Sequence, residues 1–118
     1  MPDGTIYAGV SPDTGRAMFA LPKDVPMHCN FNQASDYVTK LSAHNYWDWR
    51  VPTKSELDLL FRNRAVIRGF DTSGSIPSGW YWSAERNHFG AAWSQRFSDG
   101  RQLGNLRFVP LSLRCVRG

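Results

Sequence analysis

The chain is 118 residues long, 42% apolar and 20% charged, with a net charge of +4. That balance is ordinary for a water-soluble globular protein and excludes a disordered tail or a disulfide-dense mini-scaffold. The longest apolar run, residues 17–21, is far shorter than the roughly 20 residues a membrane-spanning helix needs, which argues against a membrane span. The N-terminus carries no basic cluster followed by an apolar stretch, so no signal peptide is visible.

Aromatic residues make up 14% of the chain, with five Trp, and there are ten Gly and seven Pro. Many rings and many turn formers point to a loop-rich fold held by large anchors. Of the 14 basic residues 11 are Arg, and they are scattered rather than gathered in one run. Scatter disfavours a dedicated nucleic-acid face and leaves solvation and hydrogen bonding to loop carbonyls as the simpler role. Cys29 and Cys115 lie too far apart in sequence for a CxxC metal or redox motif. A disulfide between them and a pair of buried free thiols are both open readings.

In chain order, residues 5–10 alternate and read as a strand. A Pro-Asp-Thr-Gly turn leads to a short buried strand at 17–21, completing a hairpin. Asn30 or Asn32 caps a first helix whose apolar stripe is Ala34, Tyr37, Val38 and Leu41, ending near His44 and Asn45. Thr53 and Glu56 have the spacing of a capping box. A second helix follows with Leu57, Leu60, Phe61 and Ala65 inward, stopping at Gly69. Residues 80–83 and 91–97 read as strands, and Ser98-Asp99-Gly100-Arg101 is a hairpin turn. Residues 102–110 look irregular, and 111–116 read as a closing strand. The plan is one α+β domain over residues 1–118, two helices packed on a twisted antiparallel sheet with long loops.

Five stretches taken together carry a family likeness: Asp48-Trp49-Arg50-Val51-Pro52-Thr53, Gly79-Trp80-Tyr81-Trp82-Ser83, Ala92-Trp93, Arg96-Phe97-Ser98-Asp99-Gly100 and Ser112-Leu113-Arg114-Cys115-Val116-Arg117. In these the chain resembles the DUF1566 group and is similar to the C-terminal domain of the Legionella collagen-like adhesin. The resemblance implies a C-type-lectin-like fold. Many members carry a Cys in the first helix suited to pair with the late one; that position here is Val38, so the resemblance leaves Cys115 without its usual partner. Trp49, Trp80, Trp82 and Trp93 read as scaffold, and Arg50 and Arg114 as forks onto loop carbonyls.

Catalytic chemistry needs convergent titratable groups, and the residues do not supply them. Glu56 is occupied by the capping box, Glu85 sits in a loop, and His28, His44 and His88 fall on separate segments. The expectation is a protein that is not an enzyme, without metal or cofactor. Calcium-dependent sugar binding lacks its usual acidic and amide oxygens in one loop. An adhesin-type module that binds anionic polysaccharide through Arg, independent of calcium, is the alternative.

The leading expectation lies in the gaps between the shared motifs. The chain also resembles the variable proteins of diversity-generating retroelements, of bacteria and phages, in which adenines of AAC or AAT codons are randomised. Such codons cannot yield Lys, Glu, Gln, Met or Trp. Residues 86–91 and 103–110 contain none of these five, and Ser94 fits between Trp93 and Gln95. The expected ligand-binding residues are Arg86, Asn87, His88, Phe89, Ser94, Arg101, Leu103, Asn105, Leu106, Arg107 and Phe108, sharing one exposed surface. Their partner is a protein or cell-surface ligand, and the setting is a cell surface or phage particle.

Overall fold

A computed structural model describes residues 4–87 and 90–118. The first hairpin forms as its alternation requires. Strand β1 (Ile6–Val10) pairs antiparallel with β2 (Ala17–Ala20), with a register shift between Tyr7 and Gly9. Gly9 has φ +118°, a conformation that L side chains resist, so glycine permits the bulge. At the far end of the chain a two-residue strand, Val116–Arg117, pairs with β2 from the other side. Both ends of the chain therefore share one three-stranded sheet. Ala8, Met18, Ala20 and Val116 turn inward, while Tyr7 faces solvent.

Helix α1 (Phe31–Lys40) starts at Asn30, whose side chain accepts from the Gln33 amide while the Gln33 side chain accepts from the Asn30 amide. It ends before His44, earlier than its apolar stripe implies. Leu41 is already extended, and residues 43–46 close a tight turn with both His44 and Asn45 at positive φ. Helix α2 (Lys54–Arg62) opens on the Thr53–Glu56 capping box, as the spacing requires. It breaks at Asn63 instead of running to Gly69. The Asn63 side-chain amide donates to the Ala8 carbonyl of β1 at 2.9 Å, and a short helix α3 (Arg64–Ile67) resumes beyond it. The break turns Ile67 inward and leaves Ala65, expected in the core, exposed.

The second half holds a separate three-stranded sheet, not a continuation of one large one. Its order is β3 (Trp80–Arg86), β4 (Ala91–Arg96), β5 (Gln102–Leu106), all antiparallel. Strand β5 takes residues 102–106 of the stretch expected to be irregular, and 107–110 are turn and loop as expected. The turn closed by Gly100 returns the chain onto β4, where the ladder from Ala91–Leu106 to Gln95–Gln102 runs without a slip. Strand β3 is covered on both faces, which its aromatic pattern made hard to read as alternation. Trp80 and Trp82 pack with Phe31, Ala34 and Val38 of α1, while Tyr81 packs with Leu57, Leu60 and Phe97 on the α2 side. The expected closing strand at 111–116 is buried throughout but is a strand only at Val116. Its other residues bridge elsewhere: Leu111 to Cys29, Ser112 to Tyr81. Val116 also bridges to Arg50, so the closing stretch touches both sheets.

Two buried ion pairs lock the frame. Arg50 forks onto Glu56 at 2.5 and 2.7 Å, rather than onto loop carbonyls, and also donates to the Gly118 carbonyl. Glu56 further accepts from the Ser11 hydroxyl at 2.5 Å and the Thr53 amide at 2.9 Å. Burial by itself would raise the Glu56 carboxyl, but the bonds from Arg50, Ser11 and Thr53 outweigh it and hold it at about 2. Arg114 is the second lock and forks as its loop position implies. It donates to Asp24 at 2.8 Å and to the carbonyls of Leu21 and Arg68, with Phe70 stacked on its guanidinium. Its Nη2 lies 2.8 Å from the same Asp24 oxygen but off the hydrogen-bond direction, adding charge proximity alone. Cys29 and Cys115 are both free and buried in the α1-side core, which settles their two readings in favour of thiols. Burial pushes the Cys115 thiol up to about 12.

Two expectations follow from these contacts. The Glu56 carboxyl is depressed in the folded state, so its stabilisation is present above the unfolded value near 4.5 and is lost as pH falls through about 2. Glu56→Gln should therefore lower stability by about 3 kcal/mol at neutral pH. The gap to wild type should close as the pH of the denaturant titration approaches 2. Native protein should leave both thiols unreacted with an aromatic disulfide reagent at mildly alkaline pH, and both should react once denaturant is added.

Candidate functional site

The hairpin of β4 and β5 and the turn from β3 into β4 converge at one end of the second sheet, against the start of α1. The convergence is built by backbone. The Phe31 amide donates to the Arg107 carbonyl at 2.9 Å, and the Asn87 amide donates to the Ala91 carbonyl at 3.0 Å. Arg86 pairs with Ala92 beyond a register shift that begins at Trp82, and its guanidinium lies 5.6 Å from the Phe31 ring. The Arg107 Nε donates to the Gly90 carbonyl at 2.9 Å.

Two depressions flank this corner. A groove of about 710 Å³ runs between α1 and β3, with Phe31, Ala34, Val38 and Val51 on its walls and Arg50 and Arg86 also lining it. A smaller hollow of about 330 Å³ lies beside it, lined by Asn30, Asn32, Gly90, Leu106, Arg107 and Phe108. Asn32 lines both. The groove falls within the usual size of a ligand pocket, and its lining is mixed, with Asn32, Ser35, Asp36 and Thr53 among the polar groups.

The expected binding residues divide into three groups. Arg86, Leu103, Leu106 and Phe108 are exposed, with Leu106 at 52% and Phe108 at 72%, and Arg107 is partly so. Asn87, Ser94 and Asn105 are struts. Ser94, expected at the surface, is buried: its hydroxyl donates to the Leu103 carbonyl and accepts from the Asn105 amide at 2.5 Å. Its register opposite Trp82 puts it on the core-facing side of the sheet, which the sequence position between Trp93 and Gln95 did not reveal. Asn87 accepts from the Ala91 amide and closes the β3–β4 turn. Arg101 is exposed but stands at the other end of the hairpin, beside the turn held by the Arg96–Asp99 pair. His88 and Phe89 lie outside the described residues. Sequence reasoning missed Phe31, Asn32 and Arg50 as lining residues, because an aromatic and a cap at a helix start carry no signal of a groove until the helix is docked.

Long polar side chains of this sheet serve the frame. Gln95 donates to Asp58 and to the Gly100 carbonyl, Gln102 donates to the Lys54 carbonyl, and the Lys54 ammonium sits 3.7 Å over the Trp93 ring. Helix α2 thus braces the β4–β5 hairpin from behind.

The family model of the Lcl C-terminal domain matches residues 15–117, which takes in every element of this corner. The chain belongs to that family. Among curated proteins none matches it. The family is that of the C-terminal domain of the Legionella collagen-like protein, so this Lcl-type chain is an adhesin-like domain. No helix among the described residues is long and apolar enough to cross a membrane.

Struts and exposed positions should part in denaturant titrations. Ser94→Ala strands the Asn105 amide and should cost about 1–2 kcal/mol. Arg86→Ala and Phe108→Ala should each stay within about 0.5 kcal/mol of the parent.

Proposed function

We propose that this Lcl-type domain is a non-catalytic recognition module of C-type-lectin-like fold. It presents Arg86, Leu103, Leu106, Arg107 and Phe108 to a protein or cell-surface ligand, in the manner of the variable proteins of diversity-generating retroelements. One observation carries the reading. Leu106 and Phe108 stand in solvent at the end of a braced hairpin, with Arg86 and Arg107 beside them. Exposed apolar side chains on a rigid support, rimmed by arginine, have the make-up of a binding hot spot. A loop of this kind changes sequence at little cost to the frame. The strongly perturbed or paired carboxylates support the non-catalytic part of the reading. Glu56 is committed to Arg50 and Asp24 to Arg114, both as frame contacts.

A second reading has its own observation. The Arg86 guanidinium makes no hydrogen bond or ion pair with any described residue, and Arg107 uses one nitrogen on a carbonyl. Free guanidinium donors suit the sulfate or carboxylate groups of an anionic polysaccharide. Salt separates the two: polysaccharide binding falls steeply as ionic strength rises, whereas an interface anchored on Leu106 and Phe108 holds.

The deciding observation is genomic. The flanking DNA should carry a near-identical template repeat differing from residues 86–110 at adenines, next to a reverse transcriptase. Its absence refutes the retroelement reading. For a protein ligand, Phe108→Ala should weaken binding on the order of tenfold with unchanged thermal stability, and a shift smaller than twofold counts against the anchor.

A further inference from the structure

We propose that the free edge of β5 accepts an extended segment of a partner protein, an uncharged stretch flanked at both ends by acidic residues. Hydrogen-bond parity along the hairpin decides which backbone groups of β5 face outward. The Arg96 amide donates to the Arg101 carbonyl across the hairpin. Bonded pairs alternate along an antiparallel ladder, so residues 103 and 105 bond to β4 and residues 102, 104 and 106 turn their amides and carbonyls outward. The other side of β4 agrees, since Phe97 bonds to Gly79 and Ala91 to Asn87. Of the outward groups, the Leu106 carbonyl accepts from the Val109 amide, and no described residue pairs with the backbone of Gln102 or Gly104.

Edges of this kind are pairing templates unless blunted by bulges, prolines, charge or a covering element. The other edges of this fold are blunted. Strand β1 carries a bulge at Gly9, and the outer side of β3 is taken by Ser112 and by the Pro52 carbonyl, which accepts from Ala84 at 2.8 Å. Strand β5 has no bulge, no proline and no charge in its five residues. Gly104, at its centre, offers no side chain of its own, and the Asn87 side-chain amide lies 2.5 Å from where its Cβ would stand.

Charge chooses the occupant. The uncharged strand is bracketed by Arg101 and Arg107. A second copy paired antiparallel about Gly104 sets each Arg101 opposite the other copy's Arg107, two like-charge pairs directly opposed. A segment with a carboxylate at each end turns both into attractive pairs. Alternate apolar side chains of that segment would lie on the face of Leu103, which is exposed. The proposal rests on the recognition reading above, of which it names the partner's chemistry.

The probe is the capped peptide Glu-Thr-Val-Thr-Val-Thr-Glu, with a Lys-flanked twin, titrated into the intact domain by calorimetry with amide exchange as the structural readout. The Glu-flanked peptide should bind on the order of tenfold more tightly than its twin, and should protect the amides of Gln102 and Gly104. Arg101→Glu with Arg107→Glu should reverse that preference, which a merely structural role for the arginines does not produce. Gly104→Pro removes an outward donor, though its Cβ also displaces the Asn87 side-chain amide, and should abolish binding. If it perturbs the fold, the charge reversal still decides. Equal binding of the twins, or binding by neither, overturns the proposal. So does a wild-type dimer in sedimentation that Gly104→Pro dissolves, because a second copy then holds the edge. The two readings fail separately: a template repeat without peptide binding removes the edge and keeps the display corner, and peptide binding without a repeat does the reverse.

Discussion

The bidentate pair of Arg50 and Glu56 is the constraint on which the rest of the domain depends. Glu56 is at once the third residue of α2, the acceptor for the Ser11 hydroxyl in the first turn, and the partner of an arginine whose backbone pairs with Val116. The first turn and the start of α2 are therefore held at one carboxylate, and the chain end joins them through the Arg50 backbone. A buried charge of this kind is tolerated only when its lone pairs are all engaged, and here they are. The consequence reaches the far sheet, since α2 so fixed supplies the Lys54 carbonyl and the Asp58 carboxylate that hold Gln102 and Gln95.

Arg114 does for the loops what Arg50 does for the helices. Few of the loop carbonyls at Leu21 and Arg68 have partners in regular structure, and a fully buried guanidinium collects them together with Asp24. Burial raises the Asp24 carboxyl, and Arg114 and the Tyr81 hydroxyl oppose that rise. A chain with so much irregular structure needs fixed donors in its interior, and arginine provides several from one side chain. This accounts for the dominance of Arg over Lys among the cations better than any surface role does for these two positions.

Against that frame, the corner formed by Arg86, Leu106, Arg107 and Phe108 is mechanically simple. Its backbone is closed by Asn87, Ser94 and Asn105 from within, so the outward side chains carry little of the fold's stability. Recognition on such a surface is set by which side chains project. The free edge of β5 adds a component that no side-chain change removes, because it consists of backbone.

Local chemistry determined much of this from sequence. Both helix starts were legible because capping residues act on amides three positions away, and both hairpins because Gly and Asp set turn dihedrals. The apolar residues at 103–108 stood out in a turn-flanked stretch, where filling a core and facing a partner were both open, and the fold leaves Leu103, Leu106 and Phe108 exposed. Tertiary structure alone decided the rest. The break at Asn63 exists because β1 offers it the Ala8 carbonyl, and the burial of Ser94 follows from its register opposite Trp82. Strand β5 was invisible because its only partner is β4 and its residues alternate weakly. The groove beside α1 arises from the docking of a helix on a sheet. Capping and turn propensities act over a few residues, whereas register and burial depend on partners tens of residues away, and only the folded chain brings those together.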